Sequence, residues 1–112
     1  MKWYEGKNSQ EIYDELFYVS SKAIGELKFH KDSEKSELYY DEFSRMMNEV
    51  IPAIIDTKAE FWMSRNDNDV FDTWDKLHMD ILELNAHMIS EILKYSWWKW
   101  NEEAEKKIIG GY

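Results

Sequence analysis

Apolar residues recur at steps of three and four along nearly the whole chain, most clearly in its last third. Val70, Trp74, Leu77, Ile81, Leu84, Met88 and Tyr95 fall on one seam at alternating steps of four and three, and only Glu91 interrupts it. Ile89, Ile92 and Leu93 widen the seam into a broad stripe. This spacing is one face of a helix and not of a strand. It predicts a helix from Val70 to about Lys107, roughly 50 Å long at 1.5 Å per residue. A compact domain of this size does not need such a length. Other helices must pack along it, or part of it must reach a second molecule.

The same pattern predicts two helices before it. Asn8, with Glu11 three residues later, resembles a capping box in which Asn replaces Ser or Thr. A first helix follows from about Ser9 to Phe29, with Ile12, Leu16, Val19, Ala23 and Leu27 on one stripe and Tyr13, Phe17 and Ile24 beside it. Gly25 within it costs about 1 kcal/mol against alanine, which points to close approach of another helix or to tolerance. A polar break at 30–33 ends this helix, and Ser33 is a cap for the next. The second helix starts near Glu34, and its inward positions are Leu38, Tyr39, Phe43, Met46, Met47, Val50 and Ile51. Pro52 lacks a backbone donor and crowds the preceding turn, so the helix is expected to kink or to split there. Ile54, Ile55, Ala59, Phe61 and Trp62 continue the apolar pattern beyond it. The run 64–69 is a turn, and Asp69 is expected to cap the long third helix. Gly110 and Gly111 are its stop signal. Residues 1–7, with Trp3 and Tyr4, form an aromatic arm ahead of the first helix.

The expected fold is all-α: one domain over 1–112, a bundle of three long helices with the second kinked or split at Pro52. Composition agrees. A chain of 112 residues with 44% apolar and 16% aromatic content builds a core without staples. It has no cysteine, which excludes a disulfide scaffold, thiol chemistry and cysteine-ligated zinc, and suits a reducing, cytoplasmic setting. No signal peptide or apolar run of spanning length is read from it. The net charge of −9 opposes direct binding to nucleic acid and to anionic lipid, and favours a basic protein partner.

Candidate chemistry is sparse. His78 lies three residues after Asp75, and His87 lies four from both Glu83 and Glu91; surface ion pairs along a helix explain both. An Asp-x-x-His step resembles half of a di-iron bundle motif, but the second half is missing. Glu34-x-x-Glu37 and Asp72-x-x-Asp75 are paired acidic steps. On facing helices, Glu34, Glu37, Asp72 and Asp75 would be candidate ligands for Mg²⁺ against a nucleotide phosphate. That arrangement resembles all-α nucleotide pyrophosphohydrolases of the MazG type. The chain departs from that pattern in the long spacing between the pairs and in lacking a double-Glu start. Helix-start acids also follow from the helix dipole alone. Asp67, Asp69 and Asp72 do not make an EF-hand, since Phe71, Asp72 and His78 stand where that loop needs an oxygen ligand, Gly and Glu. There is no phosphate loop, nucleophile elbow or His-Glu-x-x-His step. No cofactor is implied.

Two surface features remain. From Asp67 to Glu91 there are seven acids and one base, Lys76. Asp72, Asp75, Asp80 and Glu83 are the candidate partner-binding acids. Merged with Asp32, Glu34, Glu37, Asp41, Glu42 and Glu49 if the second and third helices pack side by side, they offer a negative face that steers a basic protein or mimics a phosphate backbone, beside the plainer reading of a solvated helical surface. Trp97, Trp98 and Trp100 point at least two ways round a helix. They are candidate anchors for a partner or for a homodimer, unless the amino-terminal arm covers them. The expectation is a small acidic binding module of the inhibitor, immunity or adaptor kind, with a metal-dependent nucleotide hydrolase and a structural subunit of a helical oligomer as alternatives.

Overall fold

The computed structural model describes the backbone of residues 2–64 and 68–110 and the side chains of 2–63 and 70–95. Three helices account for nearly all of it: α1 (Ser9–Lys28), α2 (Ser33–Ser64) and α3 (Asn68–Gly110). Among the described residues there is no strand. Each helix packs against both others, in an up-down-up bundle.

Local sequence sets each boundary. Asn8 Oδ1 accepts from the Glu11 amide at 2.9 Å, and Glu11 Oε1 accepts from the Asn8 amide at 3.1 Å, so the capping box starts α1. Phe29 closes α1, its amide donating to the Gly25 carbonyl. Lys31 then takes a left-handed conformation, φ 52°, and the Asp32 amide donates back to the Glu26 carbonyl. The cap of α2 is Asp32 and not Ser33. Asp32 Oδ1 accepts from the Lys35 amide at 2.9 Å, while Ser33 is already the first helical residue. Likewise α3 begins at Asn68, so Asp69 stands within its first turn instead of capping it.

The second helix does not split. It runs as one element of 32 residues with Pro52 inside it. Proline at this position removes the donor for the Asn48 carbonyl. Asn48 and Pro52 are both exposed, so water can take that carbonyl.

The core is one cluster, with Ile12, Leu16 and Ala23 from α1, Phe43, Met46, Val50 and Ile54 from α2, and Leu77, Ile81, Leu84 and Met88 from α3. These are the predicted inward positions. Leu38, an expected inward position, is exposed, and so are Ile55, Trp62, Ile89 and Leu93, which extend the apolar pattern. A bundle three helices thick seals only one narrow strip of each helix. The extents, 71 × 23 × 18 Å, reflect that thinness.

Small residues bring α1 and α2 together. Ser20, Ala23 and Ser36 are buried, and the Ser36 hydroxyl donates to the Ala23 carbonyl at 2.7 Å across the two helices. Gly25 takes no part in that approach. A Cβ placed on it would meet only its own helix's Phe29 ring at 3.9 Å.

The amino-terminal arm packs on the core. Trp3 Nε1 donates to the Met46 carbonyl at 3.1 Å, and Trp3 and Tyr4 meet edge to face. Met46 lies mid-way along α2, about 15 Å of helix rise from Ser36. The α2 start, with Ser36, is the part that neighbours Ile92 on α3. The arm is therefore placed away from the tryptophan run further along α3.

Candidate interaction site

The antiparallel run of α2 and α3 decides which predicted residues meet. Glu37 borders a groove with Ile92, near the start of α2. Asp75 pairs with Lys58, near its end. About 30 Å of helix rise separates Glu37 from Lys58. Glu34 and Glu37 therefore stand at the opposite end of the bundle from Asp72 and Asp75, and the four do not form one metal site. Among the described residues, no three His, Asp or Glu side chains are grouped to hold an ion.

The four candidate acids of α3 spread over about 140° of arc at 100° per residue, with Asp72 and Glu83 exposed and Asp75 and Asp80 half-buried. They differ in their partners. Asp80 Oδ2 accepts from Lys76 at 2.7 Å, which raises the Lys76 pKa. Asp75 Oδ1 accepts from Lys58 at 2.9 Å. Asp72 and Glu83 are exposed and form no ion pair among the described residues. On α2, Glu42 and Glu49 are tied to Arg45, whose hydrogen bond holds the Glu42 carboxyl below the ordinary range. The free negative potential is thus narrower than the acid count.

Asp75 and His78 are not a simple pair along one helix. Lys58 reaches across from α2 and bridges them, with Nζ 2.9 Å from Asp75 and 3.1 Å from His78 Nδ1. An ammonium has donors only, so Nδ1 is the acceptor and the ring is neutral, with its proton on Nε2. Burial lowers the His78 pKa below 6.5. The Lys58 charge lowers it further, and Asp75 partly opposes both. Phe71 lies under the ammonium with its centroid 6.0 Å away, and Trp62 lies 5.8 Å from Phe71. His87, expected beside Glu83 and Glu91, is exposed and forms no such pair among the described residues.

Lys58, Phe71 and Trp62 were not read as site residues from sequence, yet a signal existed. Ile51, Ile55, Lys58 and Trp62 follow at steps of four, three and four, so the lysine interrupts an apolar stripe. A charge there must snorkel or find a partner on the neighbouring helix.

At the other end of the bundle, lined by all three helices, is an open groove of about 340 Å³. Leu27, Ser33 and Tyr40 line it with Ile89, Ile92 and Leu93, and its wall is mainly apolar. Trp97, Trp98 and Trp100 continue along the α3 backbone, and their side chains lie outside the described residues, as do Asp67 and the Asp69 side chain.

Comparison with protein-family models, with curated proteins and with solved structures finds no match. Among the described residues, no helix is long and apolar enough to cross a membrane.

Proposed function

We propose that the protein is a small acidic binding module of the inhibitor, immunity or adaptor kind, which docks a basic protein through the outward face of α3. The observation that carries this reading is the contrast among the acids. Asp75 and Asp80 have lysine partners, whereas Asp72 and Glu83 stand exposed and unpaired among the described residues. In a chain of net charge −9, such a face steers a basic partner and speeds encounter. The sharpest form is mimicry of a phosphate backbone, with a nucleic-acid-handling protein as the target. Trp97, Trp98 and Trp100 would add apolar anchors beside the acids.

The test is capture from a host lysate at low and high salt, with wild type and with Asp72→Lys/Glu83→Lys. The expected result is a basic protein that is retained at low salt, released at high salt and lost by the double variant. A partner retained equally by that variant removes this face from the account. Competition by duplex DNA for the same partner supports the mimic form, and its absence restricts the reading to a plain protein contact.

A further inference from the structure

The strongest unexplained feature is a second stripe on α3. Met79, Leu82, Ala86, Ile89 and Leu93 follow at steps of three, four, three and four, a heptad seam of their own. It runs about 150° round the helix from the buried seam, on the α2-facing flank. Its members are exposed: Met79 52%, Leu82 42%, Ile89 37% and Leu93 64%, with Ala86 also in the exposed class. A row of large apolar side chains at coiled-coil spacing is costly to leave in water. It borders the acidic face: Asp75 lies one step of four before Met79 on the same seam, and Asp72 and Glu83 lie about 60–80° further round the helix.

We infer that this stripe is the seam of an antiparallel homodimer, in which α3 of one chain packs on α3 of a second copy. Three observations select that occupant. First, the central steps from Leu82 to Ala86 to Ile89 to Leu93 are four, three and four, and they read the same in both directions. A two-fold axis between Ala86 and Ile89 therefore sets Leu82 against the second copy's Leu93, and Ala86 against its Ile89. Large meets large at the edges and small meets large at the centre, the isologous arrangement that a two-fold requires. Second, charge along α3 is uneven. Asn68–Asn85 carries five acids and one base, whereas 86–110 carries four of each. Parallel pairing would lay the acidic half on itself. Antiparallel pairing lays it against the neutral half. Third, α3 outruns its own bundle. Its 43 residues rise about 65 Å, and among the described residues α1 and α2 reach only to the neighbourhood of Ile92 and Leu93. An unaccompanied helix of that kind is marginal in water. In the dimer, the overhang of each chain lies along the first half of the other chain's α3. The groove beside Leu93 then receives the Leu82 side chain of the second copy.

The test is the mass of the full chain by light scattering over a wide concentration range, with helicity followed by circular dichroism. Wild type is expected to approach twice the 13.6 kDa chain mass at high concentration. Leu82→Glu and Leu93→Lys, each at an exposed position, should keep their helicity and fall to the mass of a monomer. The double variant Leu82→Glu/Leu93→Lys should regain the dimer, because each new acid faces the other copy's new base. In a parallel pair the same substitutions would face their own kind. A wild type that is monomeric throughout, or single variants that stay dimeric, overturns the seam. A double variant that stays monomeric overturns the antiparallel register.

Discussion

Along α3, Leu77, Ile81, Leu84 and Met88 are sealed by α1 and α2, whereas Leu82, Ala86, Ile89 and Leu93 face outward at identical steps of four, three and four. The two rows have the same period and similar residue types. What separates them is only which side of the α2–α3 pair α1 occupies. Periodicity reports that a face is apolar. It does not report how many helices are present to cover it. The covered flank is built from small residues and a buried hydroxyl, and the open flank holds Lys58 and His78.

The largest effect that would sharpen this contrast is truncation on each row. Ile81 is fully buried, so Ile81→Ala should cost about 2–5 kcal/mol in denaturant unfolding. Leu82→Ala, measured in dilute monomer, should cost under about 1 kcal/mol. Equal losses would show that the outer row is covered after all. Next is the contact that keeps α1 on its side. Ser36→Ala removes the buried bond to the Ala23 carbonyl and should cost about 1 kcal/mol. An unchanged midpoint would mean that packing alone holds α1. In the opposite direction, Gly25→Ala should stabilise by about 0.5–1 kcal/mol, because the added methyl meets nothing closer than 3.9 Å. Destabilisation there would reveal a closer approach on that side of α1.

The smallest effect is pH dependence, and it belongs to the open flank alone. The folded His78 pKa lies below 6.5, so the native state holds fewer protons there than the unfolded chain. The stability tied to neutral His78 is complete above that value and declines as pH falls from 6.5 toward the folded pKa. His78→Gln should flatten the melting temperature across that window. Lys58→Met should raise the His78 pKa in an NMR titration, since it removes a neighbouring positive charge. A His78 resonance that titrates identically in both proteins would show that burial alone sets its pKa.

Much of the fold was legible because its signals are local. Asn8 and Glu11 announce their reciprocal bonds three residues apart, and the seam through Leu77 and Ile81 states the core face of α3 directly. Pro52 left a kink and a split both open, because a proline reports a missing donor and not whether water can reach the freed carbonyl at Asn48. Asp32 and Ser33 are both good caps, and only the turn geometry at Lys31 chooses between them. Ile89 and Leu93 widen the seam in sequence yet stand exposed, because a wide apolar stripe carries no record of the number of neighbours. The Lys58 bridge required knowing that α2 and α3 run antiparallel, which brings residues 17 and 20 apart in sequence into contact. The acids of α3 were legible as a set. Their division into paired and unpaired members was not, because Lys58 comes from another helix.

The extents of 71 × 23 × 18 Å bear on any attempt to read the state of association. A rod of that proportion drags more solvent than a sphere of equal mass. It should leave a gel-filtration column early and tumble anisotropically, with amide relaxation rates that depend on the angle of each bond to the long axis. A single chain therefore imitates a larger globule by elution volume alone. An antiparallel pair joined side by side would thicken the rod more than lengthen it, so its axial ratio should fall as its mass doubles.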